Sequence, residues 1–171
     1  PWLRYRGHLD RFSDNMFMGA TNAYTDEAGV GLNALTGDRG KGISSIARHY
    51  QANGLRWVVI GDNNYGEGSS REHAAMSPRL LGGAAIIARG FARIHESNLK
   101  KQGLLPLTFT DPADYDRIRE DDRISLTGLA DLAPEMAAVR LDVGPASCEV
   151  DAYRNHHFHA FRHRTRQISD P

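Results

Sequence analysis

The residues best equipped for chemistry stand together in "GEGSSREH", Gly66 to His73, where two adjacent serines, an arginine, a glutamate and a histidine follow closely spaced glycines. If Ser69 and Ser70 cap a helix that starts there, the first-turn N–H groups, the positive end of the helix dipole and the Arg71 guanidinium converge on one spot. Such a spot binds anions. Arginine grips a carboxylate or phosphate through two parallel hydrogen bonds, so it orients the ligand as well as holding it. The same field lowers the cost of an oxyanion and pushes a serine hydroxyl toward alkoxide character, without which serine is too weak a base. A loop that merely caps a helix is the other reading of these residues, and His73 by type is more often a core or supporting group than a catalytic one.

Several better-known loops are excluded. No Gly-Lys-Ser/Thr follows at Walker spacing, the G-x-G-x-x-G dinucleotide pattern is missing, and G-x-S-x-G is not met.

The elements around the loop read as a layered α/β arrangement. "ISSIARHYQANG" carries Ile43, Ile46, Ala47 and Tyr50 at helical spacing with Gly54 as C-cap, and it leads into the apolar strand "LRWVVIG". After the glycine loop, "SREHAAMSPRLLGG" predicts a serine-capped helix with Pro78 as an irregularity, followed by the strand "AAIIA". "FARIHESNLKKQG" predicts a helix with Phe91, Ile94, His95, Asn98 and Leu99 on one face, and "LLPLTF" a further strand. This β-α-β-α-β order argues for parallel pairings. Upstream, Pro1 to Gly42 reads as loops with short strands, and "GVGLNALTGDRGKG" as a flexible surface loop or a mobile lid. Downstream, "DPADYDRIREDD" starts a short polar helix at Asp-Pro, and "RISLTGL", "AAVRLDV" and "SCEVDAY" read as strands of a small antiparallel or mixed extension. The end holds His156, His157, His159 and His163 among Arg154, Arg162, Arg164 and Arg166 with no accompanying carboxylate cluster, so a solvated or disordered tail is expected over 151–171.

Composition sets the bounds: 171 residues, 40% hydrophobic and 25% charged, fit one ordinary domain. A formal net charge of zero provides no global field for nucleic acid or an anionic membrane, so any anion site is local. The single cysteine, Cys148, excludes an internal disulfide and cannot alone hold zinc or an iron-sulfur cluster. No apolar run reaches membrane-spanning length, and the start "PWLRYRGHLD", with neither an initiator methionine nor a signal-peptide core, suggests a chain cut from something longer, a processed N-terminus being the other reading.

The run "GDNNYGEGSSREHAAMSPRLLGGAAIIARGFARIHESNLKKQGLLPLTF" strongly resembles the C-terminal swivel domain of the aconitases, and "RYRGHLDRFSDN" resembles the segment that opens that domain in mitochondrial-type enzymes. With "DPADYDRI", the resemblance spans Arg4 to about Asp142. It implies a layered swivel domain over 1–150, with a mixed, partly parallel sheet flanked by helices (β/β/α type). It implies a hydro-lyase that interconverts citrate and isocitrate through cis-aconitate, with Ser69 as the base and Arg6, Ser70 and Arg71 binding substrate carboxylates. The family's 4Fe-4S cluster is held by a larger portion absent from this chain. Cys148 matches none of the family's cluster cysteines, so the chain alone is expected to be inactive, with the cluster-binding domains of the same enzyme and a tricarboxylate as partners. A cytoplasmic setting is implied for a bacterial source and the mitochondrial matrix for a eukaryotic one.

Departures from the family pattern are the His/Arg-rich end and the glycine-rich stretch near Gly31. Related dehydratases and isomerases (homoaconitase, methylaconitate hydratase, the isopropylmalate isomerase small subunit) stay open as alternatives. From a different class, so does an RNA-binding regulator, against which the neutral charge and the lack of an aromatic-basic stripe argue.

Overall fold

The computed structural model describes residues 2–68, 71–127, 140–144 and 158–164. In chain order, a 3₁₀ turn at Trp2–Tyr5 precedes α1 (Leu9–Phe12) and a second 3₁₀ turn at Ser13–Asn15. The two-residue strands β1 (Thr21–Asn22), β2 (Val30–Gly31) and β3 (Lys41–Gly42) lead to α2 (Ile43–Ala52). Then β4 (Arg56–Gly61), α3 (His73–Leu80), β5 (Gly83–Ala88), α4 (Arg93–Lys101) and β6 (Leu105–Thr108) alternate. The chain continues with α5 (Asp114–Arg117), β7 (Arg123–Thr127), β8 (Arg140–Gly144) and β9 (Phe158–Arg164).

β4, β5 and β6 pair in parallel, Val58 lying opposite Ala85 and Ile86 opposite Pro106, as the alternating order of strands and helices requires. The sheet runs β6-β5-β4-β9-β7-β8, with β1 antiparallel to β9. The β7–β8 and β7–β9 pairs are antiparallel, so the sheet is mixed, its parallel part flanked by helices. This is the expected α/β class.

Both faces of β4 are covered, which is why its sequence is a continuous apolar run rather than an alternating one. Trp57 and Val59 join Ile43, Ile46, Ala47, Tyr50, Ala75, Ile86 and Leu99 in one core beneath α2, α3 and α4. Val58 and Ile60 join Ala85, Ile87, Tyr115, Ile118 and Ile124 on the opposite face. The Trp57 indole N–H donates to the carbonyl of Leu81 at 2.9 Å, so the largest core side chain has its polar atom met.

Some expectations are corrected. Pro1 to Gly42 contains the helical turn α1 besides short strands; the His8 ring accepts from the Arg11 N–H at 3.4 Å, a local cap that apolar periodicity does not reveal. Ile94, assigned to the inner face of α4, is exposed, whereas His95 and Leu99 are buried. The helix after the glycine loop begins at His73 with Glu72 in the N-cap position and no side-chain cap, so it starts later than a cap by Ser69 or Ser70 requires. Pro78 is accommodated inside α3, with the Leu81 N–H still reaching the Ser77 carbonyl at 3.1 Å. Within the end read as a solvated tail, Phe158–Arg164 is β9, which lies between β4 and β7. Pairing on both edges satisfies its backbone groups, a benefit that His/Arg composition conceals. "SCEVDAY", Cys148 and the remaining tail residues lie outside the described residues.

The turn from α3 into β5 allows no side chain: a Cβ on Gly83 would fall 2.8 Å from the Pro78 carbonyl oxygen and 3.2 Å from the Trp57 ring. Gly83→Ala is therefore expected to destabilise the chain by roughly 1–3 kcal/mol, read as a lower urea midpoint. Gly7→Ala, where nothing lies within 4 Å, is expected to stay within about 0.5 kcal/mol of the parent.

Candidate functional site

The carboxyl ends of β4, β5 and β6 put three loops at one edge of the sheet, where open α/β sheets bind ligands. The first, leaving β4 at Gly61, is pinned at Tyr65. Its N–H donates to the Gly90 carbonyl at 2.8 Å, and its own carbonyl accepts from the Ala92 N–H at 2.9 Å. The Tyr65 ring lies edge-on to Phe91, centroids 5.8 Å apart, and 5.4 Å from the ring of His95. Tyr65 is buried, and burial pushes its phenol pKa up.

Beyond Tyr65 the chain turns through Gly66 at φ 89° and Gly68 at φ 85°, with the Asn64 amide donating to the Glu67 carboxylate. The turn delivers the chain to Ser69 and Ser70, which lie outside the described residues. Arg71 and Glu72 then form the turn into α3, the Glu72 carbonyl accepting from Met76 at 2.8 Å.

The opening segment is held against this same end of α3. His73 Nε2 lies 3.1 Å from the Arg6 carbonyl oxygen, and the His73 ring stacks obliquely on Phe12, centroids 4.6 Å apart. Given that carbonyl partner, Nε2 is the donor. Arg6 and Arg71, remote in sequence, are thereby brought to one end of one helix. Both are exposed, and neither makes an ion pair with a carboxylate among the described residues. The Arg4 and Arg11 guanidiniums lie over the Tyr5 ring at 4.8 and 5.4 Å, adding to a locally cationic surface.

Arg89 behaves differently. It donates through Nη2 to Asp116 at 2.6 Å, through Nε to the Pro112 carbonyl at 3.1 Å and through Nη1 to Asp62 at 3.4 Å. Its guanidinium also lies 4.4 Å above the Tyr115 ring. This arginine ties the three loops together and is already committed to two carboxylates.

Sequence reading proposed Arg6 and Arg71 but did not give His73 its bridging role, nor did it single out Arg89. The signal for His73 was its place directly after Arg-Glu at the head of a helix. Arg89 carried no local signal, since both acidic partners are distant in sequence. Among the described residues no group of three or more His, Cys, Asp or Glu is arranged to take a metal. The sequence has one cysteine in all, a donor set that does not fit a 4Fe-4S cluster.

Comparison with known proteins identifies this architecture. The family model described as the aconitase C-terminal domain matches residues 1–112. The chain is 60% identical over 134 residues to a probable mitochondrial aconitate hydratase of Dictyostelium discoideum, covering 78% of this chain and 17% of that protein. It is 61% identical over 134 residues to the mitochondrial aconitate hydratase of Saccharomyces cerevisiae, with the same coverage of 78% and 17%. It is 53% identical over 158 residues to the probable mitochondrial enzyme of Caenorhabditis elegans, covering 92% of this chain and 20% of that protein. The chain thus spans about a fifth of the length of these relatives. With the expected fold, the loop that carries its serine pair and this likeness over most of its length, the chain belongs to the aconitase C-terminal domain family.

Proposed function

We propose that this chain supplies one wall of an aconitate hydratase site, serving a hydro-lyase that interconverts citrate and isocitrate through cis-aconitate. The observation that carries the reading is that the Arg6 backbone is held by His73, two residues after Arg71, at the end of α3 that follows the serine loop, with both arginines exposed and without ion pairs among the described residues. A substrate with three carboxylates needs several guanidiniums from separate chain segments, and a planar fork holds each carboxylate in a fixed orientation.

The proton removed in such a dehydration is weakly acidic, so the site must supply a strong base and stabilise the carbanion-like charge that develops. In this reading Ser69 takes the proton. Ser70 donates to a substrate carboxylate, and Arg71 stabilises negative charge beside it. The residues of this chain do not fit the family's 4Fe-4S cluster, so the cluster belongs to another portion of the enzyme, and that portion is the natural partner. A mitochondrial matrix setting is proposed from the relatives' names. No helix among the described residues is long and apolar enough to cross a membrane.

Three measurements test this. Arg71→Lys in the complete enzyme is expected to raise KM and lower kcat, because a point charge does not replace a planar fork; parental kinetics would remove Arg71 from the site. Ser69→Ala is expected to lower kcat by about 10²–10⁴-fold with KM and cluster absorbance nearly unchanged, whereas retained activity would assign the base elsewhere. Finally, the isolated chain is expected to form no cis-aconitate, followed at its ultraviolet absorbance, until mixed with the cluster-bearing portion of the same enzyme. Turnover by the metal-free chain alone would overturn the reading, and activity on a homologous acid but not on citrate would keep the chemistry and change the substrate.

A further inference from the structure

We propose that His95 is a positioning residue for the serine loop: its flat ring is the floor on which the Gly66 backbone lies, and this contact sets the path by which the chain enters Ser69. The inference rests on the reading of Ser69 as base, and it deepens that reading by naming what holds the base in place.

The contact leaves no room for a side chain on Gly66. A Cβ on Gly66 would fall 2.2 Å from His95 Cγ, 2.3 Å from Cδ2 and 2.5 Å from Cβ, so the loop backbone lies directly against the ring. Gly66 also sits at φ 89°, a conformation that L side chains rarely adopt. Glycine is thus required here both by the dihedral and by the ring beneath it. His95 is itself immobilised: it is 3% exposed, projects from the first turn of α4 and packs against Tyr65, whose backbone is bonded to Gly90 and Ala92.

The way the ring is held identifies the property in use. Among the described residues His95 Nδ1 is buried and has no hydrogen-bond partner, so no hydrogen bond through that atom ties the ring to the described part of the loop. A buried polar atom left unmet costs roughly 1–3 kcal/mol, which packing alone gives no reason to carry. What the side chain offers Gly66 is its Cβ and the Cγ and Cδ2 portion of a thin, planar ring. Burial also lowers the His95 pKa, which favours the neutral ring. A branched aliphatic side chain of similar volume would have to lift the Gly66 backbone and shift every residue that follows.

The test uses the complete, cluster-loaded enzyme with His95→Leu, His95→Phe and Ser69→Ala measured side by side. A displacement near 1 Å at a reacting group costs about 10²-fold, so His95→Leu is expected to lower kcat by roughly 10–100-fold. KM should stay within about threefold, since the arginines are untouched. The primary deuterium isotope effect on proton removal should rise, because that step becomes more rate-limiting. His95→Phe, planar and apolar, is expected to stay within about threefold of the parent in kcat and to have an equal or higher Tm. Parental kcat in His95→Leu, or equal impairment of the Leu and Phe variants, would overturn the inference. Activity in Ser69→Ala would instead overturn the underlying reading, so the two failures are distinguishable. Should His95→Leu not fold, Gly66→Ala poses the question from the loop side. Alone it is expected to lose kcat, and with His95→Gly, which removes the Cβ, Cγ and Cδ2 atoms that the new methyl would meet, to regain part of it. No recovery in the double variant would count against the proposal.

Discussion

Covering β4 on both faces and both edges is the constraint from which the site's location follows. Trp57, Val58, Val59 and Ile60 have no exposed surface, and the strand is hydrogen-bonded to β5 on one side and β9 on the other. Parallel neighbours require a crossover between each pair, so the loops leaving β4, β5 and β6 all emerge at the same edge. Once there, they are bound to one another rather than left to solvent. Tyr65 joins the first loop to the second through two backbone hydrogen bonds. Arg89 joins the second loop to Asp62 in the first and to Asp116 and Pro112 near α5.

That fastening holds the glycine-rich loop at Tyr65, where it leaves β4. Glycine normally brings conformational freedom and an entropic cost. In this loop it serves close approach, since the backbone at Gly66 occupies the space a side chain would need against His95.

The parts legible from sequence were those in which one local signal decides the outcome. Ile43, Ile46, Ala47 and Tyr50 recur at helical spacing and are buried together in α2, and Gly54 follows that helix at φ 71°. β4 and β5 read as continuous apolar runs because both of their faces are covered. The errors lie where tertiary context decides. Ile94 has the apolarity of an inner residue, yet it sits on the far side of a helix whose inner face is held by His95 and Leu99. The helix start at His73 is fixed by the bridge to Arg6 and by packing on Phe12, contacts made with a segment far away in sequence. β9 was missed because pairing with β4 and β7 gives its backbone partners that His/Arg composition does not announce. Of the candidate site, Arg6 and Arg71 were readable as residue types, and the bridge that brings them together was not.

The arginines of this domain divide by what they already hold, and the division bears on how the site works. Arg48 is hydrogen-bonded to Asp10 and Asp14, which raises its own pKa, and in turn it lowers that of Asp10. Arg39 pairs with Glu120, and Arg89 with Asp62 and Asp116. A guanidinium committed in this way would have to break a pair to bind another carboxylate. Arg6 and Arg71 have no such pair to break among the described residues, so a ligand bound there does not compete with a resident acid. Both nevertheless face water, where an ion pair contributes only ~1 kcal/mol or less. The same pair becomes much stronger once water is excluded and the effective dielectric falls. Two exposed arginines on one wall are therefore a weak carboxylate trap until an opposing surface covers them. In the proposed assembly, carboxylate binding at these two arginines would therefore strengthen only where another surface excludes water from them.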